Sequence, residues 1–202
     1  MLMPMASENP TVTSVRVKSM LTGALNAFFE VSENFGSAAI EEDNVLYQLK
    51  KADPSAKVVF AGDYIWEGMF GAFFDRTYAY PSFNVRDLDS LDVQAGADIL
   101  KEIEANDFRL LIGHIIGVDH AGHTYSARHS EIERKLNDTE VLIRKIITRL
   151  NEETVLLVFG DHGMTEEGNH GGASEQELRS VLFAYSRGGF NHRNSSYDKA
   201  FK

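Results

Sequence analysis

Apolar residues gather in four short runs, Lys57 to Gly62, Phe108 to Gly117, Thr154 to Phe159 and Val181 to Tyr185. Between them, apolar positions recur at helical spacing. The run Thr154-Val155-Leu156-Leu157-Val158-Phe159 is short and apolar throughout, which predicts a strand buried on both faces, as in a parallel sheet. Val15 to Phe29 reads as a helix opened by Thr13-Ser14, both N-cap residue types. Glu41 to Lys51 is a second helix, burying Val45, Leu46 and Leu49 and ending near Asp53-Pro54. Phe70 to Phe83 is aromatic-rich and reads as irregular, and Ala95 to Ala105 as a helix. Ser130 with Glu133 makes a capping box for a long helix that buries Ile132, Leu136, Ile143, Ile146 or Ile147, and Leu150. No strand is predicted before Pro10. Strands alternating with helices define an α/β fold with a mostly parallel sheet.

Three strand ends carry polar residues, where open α/β sheets bind ligands. Asp63 follows the first strand directly. Asp119 and His123, four apart, lie past the second and are close enough to chelate one ion. Asp161 and His162 follow the third, and His170 comes eight residues later on a glycine-rich loop. Either motif alone is common in turns; the two at separate strand ends, with a third imidazole nearby, point to a metal centre. Nitrogen and oxygen ligands without sulfur suit zinc, with manganese the next candidate. His120 alternates away from the Asp119/His123 pair and is a second-layer or substrate-binding candidate. His114 reads as a buried strand histidine, and His129 and His192 as surface residues.

Composition narrows the field. The 202 residues suffice for one domain, and 43 % apolar with 25 % charged residues is ordinary for a globular fold. A formal charge of −10 excludes broad nucleic-acid binding. It also requires local positive charge, such as metal ions, to meet any anionic substrate. Without cysteine there are no disulfides or thiolate metal sites. No run approaches the roughly 18 apolar residues that span a bilayer, and Met1 to Met5 lacks the features of a secretory signal. Read literally, the chain is soluble and untargeted.

The motifs together resemble a known group. Val118-Asp119-His120-Ala121-Gly122-His123, Gly160-Asp161-His162-Gly163-Met164 and Asn169-His170-Gly171 are similar to the alkaline phosphatase superfamily. Asn84-Val85-Arg86-Asp87-Leu88-Asp89, Glu42-Asp43-Asn44 and Asn34-Phe35 narrow the resemblance to the GPI ethanolamine phosphate transferases, in the branch that modifies the third mannose. The likeness runs from about residue 10 to 186. It implies an alkaline-phosphatase-like fold whose mostly parallel central sheet is flanked by helices. The implied division is a 1–9 leader outside the family, a partial catalytic domain over 10–187 and a polar, loose tail over 188–202.

By this resemblance Thr13, in Pro10-Thr11-Val12-Thr13, is the nucleophile, with Thr11 the alternative. Asp119, His123 and His170 resemble one zinc site, and Thr13, Asp161 and His162 the other. The family adds an aspartate to that second site from the first strand of the fold. Nothing in Met1 to Asn9 matches it, so the fold is expected to lack its first strand and the chain to be a fragment of a longer membrane enzyme. The implied reaction moves phosphoethanolamine from phosphatidylethanolamine to a mannose of the GPI precursor, through a phospho-threonine, with two divalent ions. The alternatives are another metal-dependent phosphodiesterase or phosphomutase of the superfamily, or an inactive fragment. The resemblance places the enzyme at the lumenal side of the endoplasmic reticulum membrane. It also implies a small membrane-embedded partner subunit, whose membrane contact this chain lacks. Asn137-Asp138-Thr139 and Asn194-Ser195-Ser196 fit the glycosylation pattern.

Overall fold

The computed structural model describes residues 1–25 and 39–190. Asn34-Phe35, His192, the Asn194 tripeptide and most of the predicted tail lie outside them. The strands are β1 (Leu2–Ala6), β2 (Val58–Asp63), β3 (Arg76–Tyr80), β4 (Leu110–His114), β5 (Val155–Phe159) and β6 (Arg179–Ser186). The helices are α1 (Thr13–Thr22), α2 (Val45–Ala52), α3 (Ile65–Phe70), α4 (Ser90–Ala105), α5 (Gly117–Tyr125), α6 (Ser130–Arg149) and the single turn α7 (Glu175–Leu178).

The strands form two three-stranded sheets. One is parallel, in the order β3-β2-β4; the other is antiparallel, in the order β1-β6-β5. The α/β class stands, with the parallel sheet at its centre. β2 is buried along its whole length because helices cover both its faces. Val58 and Phe60 pack with Val17, Leu46, Trp66 and Phe70 on one side. Ala61 meets Leu91, Ala95, Ile99, Ile103 and Ile146 on the other. The expected strand at 57–62 and the helix over 95–105 are therefore real, the helix starting earlier at Ser90.

Several expectations need correction. Residues 2–6 do form a strand, antiparallel to β6 in the register Leu2↔Phe183 to Ala6↔Arg179. Among the described strands β1 pairs with β6 alone, and an edge tolerates Pro4, which has no N–H to donate. Within the stretch predicted to be irregular, residues 76–80 form β3 in parallel register with β2. The α1 N-cap is Val12, with no side-chain cap, so Thr13 is the first helical residue and not a cap. The cap of α6 is His129, whose Nδ1 accepts the Glu131 N–H, so the Ser130/Glu133 box does not form.

β5 departs most from expectation. It is antiparallel, and it alternates in exposure: Val155 and Leu157 are 53 % and 55 % exposed although the run is wholly apolar. Leu136 of α6, expected in the core, is also exposed. All three line a cavity of about 1450 Å³, bounded on one side by residues 110–114 of β4 and on the other by residues 155–159 of β5. Among the described strands, β4 pairs only with β2 and β5 only with β6. Each thus presents an unpaired edge to that cavity.

Candidate metal centre

Three elements deliver the site residues. The β4–α5 junction turns through Ile115-Ile116, so Asp119 falls in the first turn of α5 and His123 one turn later on the same face. Asp161 and His162 follow β5 after the single residue Gly160. His170 is carried by the loop from 163 to 173, which folds back between α1 and α5.

Asp119 is the hub. Its Oδ2 lies 3.4 Å from His123 Nε2, and its Oδ1 lies 3.2 Å from His170 Nε2. One donor atom from each of Asp119, His123 and His170 falls within 4.8 Å of the others. The ring of His170 stacks on His162 at 3.9 Å between centroids and stands 4.8 Å from His123. His162 Nε2 lies 3.4 Å from Asp161 Oδ2. The structure thus brings together Asp119, His123, His170, Asp161 and His162, five of the six metal-ligand candidates that the sequence singled out; Thr13 is the sixth.

The hydrogen bonds around the rings fix what each nitrogen can do. His170 Nδ1 meets the Thr11 carbonyl at 2.6 Å, and His162 Nδ1 meets the Gly163 carbonyl at 2.8 Å. A carbonyl only accepts, so both Nδ1 atoms carry the proton and both Nε2 atoms are lone pairs in the neutral rings. Each lone pair then faces a carboxylate oxygen. Asp119 Oδ1 and Asp161 Oδ2 are both buried and receive no hydrogen bond among the described residues. Lone pair against buried carboxylate is repulsive unless a cation or a proton stands between them. Such buried orphan atoms call for a partner, and a divalent ion fits this donor set.

The protonation equilibria agree with that conflict. Burial pushes the Asp119 carboxyl up, but once His170 is protonated its Nε2–H bond and charge, with the charges of His123 and His162, outweigh burial and hold the Asp119 pKa low. Burial would lower His170, yet Asp119 prevails and its pKa is raised. His123 is lowered, first by burial. In the metal-free protein His170 gains stability from its proton, fully present below about pH 6.5 and lost as pH rises through the raised value. Asp119 contributes above about pH 4, and that is lost as pH falls through its lowered value. Their joint contribution is therefore largest between those limits. A divalent ion must displace the His170 proton, so its affinity should fall as pH drops through the raised pKa. Calorimetry in two buffers of different ionisation enthalpy should show proton release at pH 6.5; a proton count of zero there would contradict the assignment.

Thr13 opens α1, and its neighbours in the chain contact both halves of the site. Two residues before it, Thr11 holds His170 through its carbonyl and accepts the Gly171 N–H at 2.8 Å. One turn after it, Arg16 Nε donates to the Asp161 carbonyl at 3.1 Å. The Thr13 side chain is partly exposed and forms no hydrogen bond among the described residues. The alternative, Thr11, is fully buried and donates to the Gly172 carbonyl at 2.9 Å. Its hydroxyl is committed to the His170 loop. Sequence reasoning did not foresee that role, and only the loop's return to α1 reveals it. His120 is buried, with Nδ1 at 3.0 Å from the Asp87 carbonyl. Its burial and this hydrogen bond suit the second-layer role of the two left open for it. His114, partly buried, closes β4 with Nδ1 3.9 Å from Asp63 Oδ2.

This fold and site define a class. The model of the type I phosphodiesterase / nucleotide pyrophosphatase family matches residues 3–182, and the chain belongs to that family. Within it, the chain is similar to the catalytic subunit of GPI ethanolamine phosphate transferase 3 of Homo sapiens, with 42 % identity over 177 residues, covering 88 % of this chain and 16 % of the relative. Across such curated relatives it spans 16–20 % of their length. Among solved structures, it resembles the lipoteichoic acid synthase LtaP of Listeria monocytogenes with a TM-score of 0.58 at 13 % identity, covering 94 % of this chain and 58 % of that one. An alkaline phosphatase superfamily protein of Vibrio parahaemolyticus gives 0.53 at 13 %, covering 85 % and 48 %. The fold is thus that of the alkaline phosphatase superfamily.

Proposed function

We propose that this chain is part of the catalytic domain of an enzyme that transfers phosphoethanolamine from phosphatidylethanolamine to a mannose of the GPI precursor. The observation that carries the reading is the pair of tautomer-locked imidazoles, each aimed at a buried, unpartnered carboxylate oxygen. Supporting it, Thr13 lies between Thr11, which bonds His170, and Arg16, which bonds Asp161, and forms no side-chain hydrogen bond among the described residues.

Asp119, His123 and His170 would hold one divalent ion, and Asp161, His162 and Thr13 the other, with zinc the best fit to a sulfur-free N/O set. When bound, such ions supply Lewis-acid stabilisation of charge on phosphoryl oxygens and make a hydroxyl more acidic. Thr13 Oγ, at the N-terminus of α1, is placed where the helix dipole favours an anion, and the first turn holds no acidic side chain to oppose it. In the first step Thr13 Oγ loses its proton and attacks the donor phosphorus. The bond from phosphorus to the diacylglycerol oxygen breaks, and that oxygen takes up a proton. In the second step the mannose hydroxyl oxygen attacks the phospho-threonine, its proton leaves, and Thr13 Oγ is released and reprotonated.

The Asp161–His162 half has fewer carboxylates than this chemistry calls for. The facing edges of β4 and β5, and the orphaned Asp161 Oδ2 near the cavity's end, support an extended segment of the same protein entering there with a further carboxylate. The working site of the whole enzyme is the lumenal face of the endoplasmic reticulum membrane, where the GPI precursor is presented. The chain's own described helices include none long and apolar enough to cross a membrane.

The test uses fluorescent phosphatidylethanolamine and a synthetic mannoside, with a nitrophenyl phosphodiester in parallel. Transfer to the mannoside should exceed hydrolysis, and mass spectrometry should find phosphoethanolamine on the peptide containing Thr13. Hydrolysis without transfer would favour a phosphodiesterase. No turnover with two ions bound would favour an inactive module.

A further inference from the structure

The helix that bears Asp119 and His123 is tied down by a buried ion pair outside the metal centre. Lys135 of α6 is 1 % exposed, and its Nζ lies 2.8 Å from Asp92 Oδ2 and 3.1 Å from Asp89 Oδ1. Asp92, in the first turn of α4, accepts the backbone N–H of Ile116 at 2.8 Å and of Gly117 at 3.1 Å. These are the donors that a helix N-terminus leaves without intrahelical partners. Asp92 therefore caps α5 from another helix, two residues before Asp119.

The packing at this point is close. A Cβ on Gly117 would fall 2.1 Å from Lys135 Cε, 2.3 Å from Asp92 Oδ2 and 2.5 Å from the Leu88 carbonyl oxygen. The start of α5 thus has one seat, with the lysine and the aspartate forming its floor. Two charges buried together cost desolvation that apolar residues of the same volume would avoid. What the pair provides in return is direction, because an apolar contact has no preferred orientation and a carboxylate holding two N–H groups does. Arg134 of α6, half-buried, also pairs with Asp89 at 2.9 Å, and exposed Asp138 lies 3.0 Å from Arg134 and 4.0 Å from Lys135. Only Lys135 reaches Asp92.

We propose that Lys135 and Asp92 are a positioning pair: acting through the Ile116 and Gly117 amides, they set where Asp119 and His123 stand and so tune the affinity of the centre for a divalent ion. The inference rests on the metal-centre reading given above. Neither residue touches a ligand, so the effect passes through the backbone of α5.

Two measurements on the full chain test it. Cobalt(II) titration, followed by d–d absorption, reads the affinity and geometry of the centre. Hydrogen exchange of the metal-free protein reads how firmly α5 is held. Lys135→Met and Asp92→Asn should each weaken cobalt binding about ten- to hundred-fold, the range typical when a ligand's supporting contacts are lost. The double variant should be little worse than either single one, because the two act as a unit. Amides from Ile116 to Gly122 should exchange at least tenfold faster in both variants, while Arg144→Met, an exposed change on the same helix, alters neither readout. Asp92→Asn keeps the shape and one acceptor, so it covers the case in which Lys135→Met does not fold. Parent-like affinity and exchange in folded variants would overturn the proposal. If the parent itself binds no cobalt, the metal-centre reading fails, and the exchange measurement alone decides whether the pair holds α5.

Discussion

Asp119→Asn is expected to abolish turnover and to empty the Asp119–His123–His170 half of the centre, while the protein stays folded. One carboxylate faces two imidazole nitrogens, at 3.4 and 3.2 Å, and so joins both histidines of that half of the site. Asparagine keeps the volume but loses the charge, and its amide nitrogen brings hydrogens where a cation should sit. Loss of about three decades in affinity, or about 4 kcal/mol, is the scale expected for a charged ligand in a buried site. The metal-free protein supplies an independent check. Burial lowers His170, and its raised pKa depends chiefly on Asp119. Without that carboxylate burial should win, and the His170 pKa should move below its ordinary value near 6.5. NMR titration of the imidazole reads this directly. Full zinc stoichiometry in Asp119→Asn, or an unmoved His170, would refute the hub role.

Much of this centre was legible in the sequence because its chemistry is local. Asp119 and His123 share a helical face by spacing alone, and Asp161-His162 follows an apolar run that is a strand in the structure. The central strand β2 was visible for a similar reason, since burial on both faces requires an unbroken apolar run. Long-range effects were not visible. β1 holds a proline and two methionines, giving no alternation, and exists because β6 offers it an edge. β3 reads as aromatic clutter because its polar positions are partnered from α4: Arg76 and Tyr78 bond Glu102, and Tyr80 bonds Asp98. His129 caps α6 in place of the Ser130 box, a choice between neighbours that composition does not decide. β5 shows the limit most clearly. Its six-residue pattern correctly reports a strand whose two faces are both apolar, but the faces are not equally covered among the described residues. Pattern describes what a segment is suited to pack against; only the three-dimensional arrangement shows what is there to cover it. Likewise, nothing in the spacing links Lys135 to Asp92, or Thr11 to His170, because each link joins elements far apart in the chain.

Gly168→Ala should cost the protein both stability and its metal centre. Gly168 has φ +86°, in the left-handed region, and a Cβ there would lie 2.0 Å from the Gly122 carbonyl oxygen, 2.6 Å from its carbon and 3.0 Å from Ser126 Cα. All three are backbone atoms of α5 and its C-cap, so no side chain can swing aside. The loop carrying His170 must then retreat from the helix carrying Asp119 and His123, and the 3.2 Å approach of His170 to Asp119 opens. Left-handed strain contributes about 1 kcal/mol, and forced repacking typically about 1–3 kcal/mol more. For a domain of this size, that corresponds to a Tm lower by roughly 10 °C. Gly23→Ala separates the two contributions. Gly23 closes α1 at φ +69°, but a Cβ there meets nothing within 4 Å, so that variant carries the strain without the collision. It should lose only a few degrees and bind divalent metal as the parent does. Thermal melts with cobalt titrations on both variants give the comparison. If Gly168→Ala behaves like Gly23→Ala in both measurements, close approach of the loop to α5 is not what assembles the centre.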